Sequence, residues 1–184
     1  MMKIDINGNI LELVVGDITT LQTDVIVNAA NGSLLGGGGV DGAIHRAAGK
    51  ELLEECKQIR EKQLDGNYLP AGEAVITSGQ NLPASYVVHT VGPVWNEHDD
   101  GQDDVLSNCY QNALELAVTH DASSIAFPSI STGVYHYPVK LAAETALQTM
   151  IAFLQNHQFG QVVMVLFSEQ DYAAYEKVLH DLVG

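Results

Sequence analysis

Positive charge is scarce in this 184-residue sequence: eight Lys and Arg stand against 23 Asp and Glu, a formal net charge of −15. Sequence-independent binding of duplex nucleic acid needs a basic footprint along the phosphates, and this balance argues against it. Any anionic ligand must then be held mainly by backbone N–H groups. Long apolar runs are missing too. The longest, Val162 to Phe167, is far short of a bilayer span, and the opening residues lack the apolar stretch of a signal peptide. A soluble cytoplasmic protein with no membrane partner is the expectation. The two cysteines, Cys56 and Cys109, have neither CxxC spacing nor histidine partners in a zinc pattern. Each falls on an apolar helical stripe, Leu52-Leu53-Cys56-Ile59 and Leu106-Cys109-Ala113-Ala117, which makes them packing thiols in a reducing compartment. The seven histidines show no HExxH or other metal spacing, so no metal or cofactor is expected. No GxGxxG, GxxxxGK[ST] or Gly-x-Ser-x-Gly string occurs, which disfavours a Rossmann dehydrogenase, a P-loop ATPase and a serine hydrolase elbow.

What is present is a core-forming composition, 46% hydrophobic and 17% charged, which leaves little room for disorder. No repeat, low-complexity tract or linker divides the chain, and a single domain over residues 1–184 follows. A hairpin is predicted at Lys3–Ile6 and Ile10–Val15 around Asn7-Gly8. The apolar run Val25–Ala30 reads as a strand buried on both faces. Further strands are expected at Ala74–Ser78, Tyr86–Val91, Ser124–Phe127 and Gln161–Phe167. Helical patterns run from Asp41 through the Gln63 region with a break near Gly49, over Asp104–His120 and over Leu141–Asn156. The third of these carries Ala143, Leu147, Met150, Ile151 and Leu154 on one face, and Tyr172, Tyr175, Leu179 and Leu182 mark a last amphipathic helix. Strands alternating with helices mean an α/β sandwich with a largely parallel centre. Asn96 to Asp104, acidic and polar, reads as a solvated surface loop.

Three loops directly follow predicted strands, where open α/β sheets place ligands. The first contains Asn28, Ala30, Asn31 and the glycines Gly36 to Gly39, with Val40 and Asp41 behind them. Such glycines let the backbone approach a ligand and aim successive N–H groups at an anion; a flexible turn is the plain alternative. Asp41 at a helix start suits the dipole, yet a carboxylate beside an anion cradle is electrostatically costly unless it acts there. Asn28 and Asn31 can hold backbone or a sugar hydroxyl. His45 and Arg46 read as core or salt-bridge residues. The second loop, Pro128 to Pro138, offers small hydroxyl residues and Gly133, with Tyr135 either covering a sugar or simply packing. The third is Gly16-Asp17-Ile18-Thr19, in which Asp17 also suits a helix N-cap. Two anion loops in an acidic protein point to a diphosphate ligand.

Gly16 to Thr19, Val25 to Asn31, Leu34 to Gly49, His89 to Pro93 and Ser129 to Tyr135 together resemble the signature of macrodomains of the MacroD type. The similarity runs from about Leu11 to Phe167 and into the final helix. It implies a three-layer α/β/α sandwich with a central mixed, largely parallel sheet, monomeric and without cofactor. It also implies ADP-ribose as ligand, with O-acetyl-ADP-ribose and mono-ADP-ribosylated proteins, modified on acidic side chains, as substrates. Carried over, Asp17 would accept from the adenine amino group beside the Ile18 amide, with Ala30 in the same pocket and Phe167 flanking adenine. Gly38, Gly39 and Val40 would cradle one side of the diphosphate, and Ser131, Thr132, Gly133 and Val134 the other. Asn31 would fix the distal ribose, Asp41 would orient or activate water, and Tyr135 would pack on that ribose. His136 departs from the family, which usually carries glycine there between two aromatics. A hydrolase of ADP-ribose conjugates and a non-catalytic ADP-ribose reader are the two functional classes compatible with this pattern. Asn31 and Asp41 together favour the hydrolase, since a reader needs no water-handling acid.

Overall fold

The computed structural model describes residues 1–184. A hairpin, β1 (Met2–Ile6) and β2 (Asn9–Val15), turns at Asn7-Gly8, where both residues have positive φ. A single 3-10 turn, Ile18–Thr20, leads to β3 (Val25–Ala29), and then α1 (Gly39–Ala48) and α2 (Lys50–Gln63) follow. Next come β4 (Ala74–Ser78), β5 (Tyr86–Thr90), α3 (Gln102–Thr119) and β6 (Ser124–Phe127). The chain ends with α4 (Val139–Gln155), β7 (Gln161–Leu166) and α5 (Glu169–Val183).

The seven strands form one sheet in the order β1-β2-β7-β6-β3-β5-β4. Its five central strands are parallel, and β1 and β4 pair antiparallel at the two edges. Both faces are covered, which is why the central strands read as continuous apolar runs. The alternation along each strand divides its side chains between two cores. Val25 and Val27, Ile125 and Phe127, and Val162, Met164 and Leu166 pack with α3, α4 and α5. Ile26, Ala126, Val163 and Val165 pack with α1 and α2 on the other face. The result is the three-layer α/β/α sandwich with a mixed, largely parallel sheet.

Cys109 belongs to the first core and Cys56 to the second, as packing thiols should. Burial pushes both thiols up, that of Cys56 to about 12 with the Asp41 and Glu55 charges adding to it. Some details differ from the sequence pattern. Helix α1 starts at Gly39, so Asp41 is its third residue rather than its first. Free N–H groups define the turn there, and glycine tolerates the φ of +57° that opens it. Ile151 is only partly buried, at the margin of the α4 stripe, and Leu182 is exposed where α5 runs past the sheet. The acidic loop stops at Gly101. Gln102 opens α3 and is drawn into the fold, its side chain accepting from the Asn96 N–H and donating to the Asn96 and Asp99 carbonyls. No helix is long and apolar enough to cross a membrane.

Candidate ligand cleft and its polar network

The parallel strands β2, β3, β5, β6 and β7 all point their C-terminal ends at one edge of the sheet, and the residues after each meet there. β3 and β6 are neighbours, yet the chain leaves β3 for α1 on one face and leaves β6 for α4 on the other. Connections that part to opposite faces open a crevice between adjacent strands, the general location of ligand sites in such sheets. Here the crevice is a cleft of about 720 Å³. Lining it are Asp17 and Ile18 after β2, Ala30, Asn31, Gly38, Gly39, Val40 and Asp41 after β3, Ser131 through Tyr135 after β6, and Phe167 after β7. Asn28, the other amide offered for a sugar hydroxyl, is buried beneath Asp41 and does not reach the cleft.

On one wall, α1 begins. Its first hydrogen bond is Gly42 N–H to Gly38 O at 3.2 Å, so the N–H groups of Gly39, Val40 and Asp41 have no partner within the helix. Loop and helix touch closely here. A Cβ on Gly42 would stand 2.4 Å from the Gly37 carbonyl oxygen, so only glycine permits the approach. A Cβ on Gly37 would lie 3.1 Å from Asn31 Nδ2 and 3.2 Å from Asp41 Oδ2, so that amide and that carboxylate converge on the same point.

The opposite wall is the Pro128–Pro138 loop. Its N–H groups from Ser131 to Tyr135 bond no other group of the chain, leaving a second row of free donors. Ser131 and His136 take positive φ, +69° and +60°. The latter value is the conformation glycine adopts without steric cost, so His136 sits in mild strain. Two buried tyrosines brace the loop from beneath. Tyr110 Oη accepts from the Ile130 N–H at 3.1 Å and donates to Pro128 O, and Tyr175 Oη lies 2.6 Å from Ser129 Oγ. Burial raises both phenols, Tyr175 to about 12, so they remain hydroxyl donors. Gly92 admits the loop from the β5 side, since a Cβ there would collide with Ser131 Oγ at 2.0 Å.

At the far end, Asn31 is tied to its own loop. Its Nδ2 donates to Gly36 O at 2.8 Å, and its Oδ1 accepts from Ser33 N–H and Ser33 Oγ. Asp41 is only 5% exposed. Its Oδ1 accepts from Asn28 Nδ2 at 2.8 Å and lies 3.4 Å from His45 Nε2, while Oδ2 faces the cleft at Gly37. Burial pushes its carboxyl above the ordinary aspartate range; Asn28, His45 and the Asn31 backbone pull the other way. At the near end, Asp17 does cap the 3-10 turn, its Oδ1 accepting from Thr19 N–H at 2.9 Å and Thr19 Oγ1 at 2.7 Å. Its second oxygen is open. Phe167 stands 93% exposed at the rim.

His45 does take an ion-pair position beside Asp41, but Arg46 is neither core nor salt-bridged. It is exposed and is the one cation lining the cleft, against Asp17, Asp41 and Asp171. No separate role was legible in the sequence for Tyr110, Tyr175, Gly42 or Gly92, although Gly42 and Gly92 lie inside segments that carry the family resemblance. For Gly42 the signal was its place just behind the glycine run Gly36 to Gly39.

The Macro domain family model matches residues 27–146. The O-acetyl-ADP-ribose deacetylase of Klebsiella pneumoniae (strain 342) is 54% identical over 169 residues, covering 91% of this chain and 95% of that protein. The protein of that name from Escherichia coli (strain K12) is 51% identical over 170 residues, covering 92% and 94%. Among solved structures, the Oceanobacillus iheyensis macrodomain with ADP superposes with a TM-score of 0.97 at 60% identity, covering 99% of this chain and 96% of that one. The Trypanosoma brucei macrodomain in complex with ADP-ribose gives 0.82 at 44%, covering 92% and 68%. The chain belongs to the macrodomain family.

Proposed function

We propose that this protein binds ADP-ribose and hydrolyses ester-linked groups on its distal ribose, with O-acetyl-ADP-ribose as a substrate and mono-ADP-ribosylated acidic side chains as a second class. The observation that carries the reading is the pairing of two opposed rows of free N–H groups with a buried carboxylate at one end of the same cleft. Free amides suit a diphosphate in a protein with net charge −15, because they attract anions without requiring cations. The relatives named as O-acetyl-ADP-ribose deacetylases and the neighbours solved with ADP and ADP-ribose support the same ligand.

In this reading Asp17 takes the adenine amino group on its open oxygen, the Ile18 N–H and Ala30 lie beside it, and Phe167 covers the base. Gly38, Gly39 and Val40 hold one side of the diphosphate; Ser131, Thr132, Gly133 and Val134 hold the other. Asn31 and Tyr135 set the distal ribose. Asp41 Oδ2 accepts a proton from a water as that water attacks the acyl carbon. The ester bond breaks, the ribose oxygen leaves and takes up the proton, and the acid and free ADP-ribose are released. For a glycosidic ester the attacked carbon is C1″ of the ribose, and the side-chain carboxylate leaves.

Asn31→Ala and Asp41→Asn separate turnover from binding. Each should slow single-turnover hydrolysis by roughly 10²–10⁴, the range for a positioned acid–base group, with calorimetric affinity for ADP-ribose changing far less. Unchanged turnover in both variants would end the mechanism proposed here, and no turnover in the wild type would leave a binding module.

A further inference from the structure

Beneath Asp41 lies a polar chain that the proposed chemistry does not use. Asn28 on β3 and His89 on β5 are direct partners in the parallel register, on the face covered by α1 and α2. Asn28 Nδ2 lies 2.8 Å from Asp41 Oδ1 and 3.1 Å from His89 Nδ1. His89 Nε2 lies 3.0 Å from Thr77 Oγ1 on β4, and Thr77 Oγ1 reaches Val87 O at 3.4 Å. All three side chains are at most 2% exposed. Polar groups sealed inside an apolar layer are costly unless each bond is made. Here one acceptor, Asn28 Oδ1, is left without a partner. The amide is therefore oriented by the need for two donated bonds from Nδ2, not by its own oxygen.

We propose that Thr77 and His89 are positioning residues that hold the Asn28 amide with Nδ2 toward Asp41 and thereby fix the direction of the Asp41 carboxylate; the inference rests on the hydrolase reading above. If Thr77 accepts from Nε2–H and passes its own proton to Val87 O, then His89 Nδ1 is a bare acceptor and must receive Asn28 Nδ2. The other tautomer would turn the amide over and set Asn28 Oδ1 against the Asp41 oxygen, acceptor against acceptor. Complete burial, with His45 nearby, pushes His89 down to about 3, so the imidazole keeps a neutral tautomer over the working pH range. The titratable groups around Asp41 are His45 from its own helix and Cys56 from α2, with Arg46 on the same cleft and His89 reached through Asn28.

The test combines a tautomer measurement with a pH profile. Nitrogen NMR of histidine-labelled wild-type protein should show His89 protonated at Nε2 and bare at Nδ1 from pH 5 to 8. A proton on Nδ1 overturns the proposal, whatever the variants do. Thr77→Val removes the hydroxyl at constant shape and leaves Nε2 only the weaker Cys56 Sγ contact at 3.8 Å, so the imidazole and amide can turn. The acid limb of single-turnover deacetylation of O-acetyl-ADP-ribose should then move up by about one pH unit, because Asp41 loses a hydrogen bond to its charged form. Affinity for ADP-ribose should stay within about twofold, and Thr77→Ser should restore the wild-type limb. A residue of purely structural importance would lower the melting temperature of Thr77→Val and leave the limb in place; that result refutes the positioning role. Asp41→Asn, run alongside, keeps the two levels apart. No turnover in the wild type removes the hydrolase reading itself, and turnover that survives in Asp41→Asn removes the role of its carboxylate. Loss of turnover in Asp41→Asn together with an unmoved limb in Thr77→Val removes only the relay.

Discussion

Gly42→Ala puts the smallest possible group where the structure has least room for it. The added Cβ would stand 2.4 Å from the Gly37 carbonyl oxygen and 3.1 Å from Arg46 Nη1. A guanidinium at the end of a long exposed side chain swings aside. The carbonyl is main chain, and to reach a tolerated carbon–oxygen contact of about 3.3 Å it must retreat by about 0.9 Å. It cannot move alone, because Gly37 is joined to the free donors of Gly38 and Gly39 and lies beside Asn31 Nδ2 and Asp41 Oδ2, where even a Cβ would be crowded. Alanine is intrinsically better than glycine inside a helix by about 1 kcal/mol. Overpacking costs about 1–3 kcal/mol, so the net loss of stability should be no more than about 2 kcal/mol. Function should suffer more than stability. A displacement approaching 1 Å of the groups that hold a substrate costs on the order of 10²-fold in rate. Urea melts, ADP-ribose calorimetry and single-turnover deacetylation on the same preparation measure all three quantities. A folded Gly42→Ala protein that binds and turns over within about threefold of wild type would falsify the view that this contact sets the first wall of the cleft.

Acid should destabilise the fold through His89. Its folded pKa of about 3 lies below the ordinary 6.5, so between those values the unfolded chain binds a proton that the folded chain refuses. The contribution is complete above pH 6.5 and falls by about 1 kcal/mol per unit below it. Asp41, shifted upward, contributes with the opposite sign just above 3.8, so the slope is cleanest between about pH 6.5 and 5. Urea unfolding across that window should give a flatter slope in His89→Gln; equal slopes would mean that His89 is not held neutral. ADP-ribose affinity should depend weakly on salt, since Arg46 is the only cation on the cleft. Arg46→Ala should abolish what dependence there is, and a steep dependence surviving in that variant would contradict an amide-built site. His136→Gly should stabilise the protein by about 1 kcal/mol, because His136 occupies a left-handed φ of +60°. Thermal melts would show it, and a lower melting temperature would mean that the imidazole makes a compensating contact.

The layers, the strands at Ala74–Ser78 and Ser124–Phe127 and the break at Gly49 are all legible in the sequence. Hydrophobic period reports directly which face of an element is buried. The two anion loops are legible for a different reason. Glycine runs and small hydroxyl residues after buried strands have few other uses, and a net charge of −15 leaves amides as the available anion ligands. Period carries no information about which buried face meets which. Only the pairing of β3 with β5 sets Asn28 beside His89, and only the seat of α1 on that face brings Asp41 to both. The departure of α1 and α4 to opposite faces is what makes two loops, about a hundred residues apart in the chain, the walls of one cleft. Tyr110 and Tyr175 look like ordinary core residues in their helices, and their service to the second loop depends on where α3 and α5 cross the sheet. Local pattern thus determined the elements and the kind of chemistry their loops can hold. Strand register and helix placement, which rest on contacts between distant segments, decided which side chains share a bond.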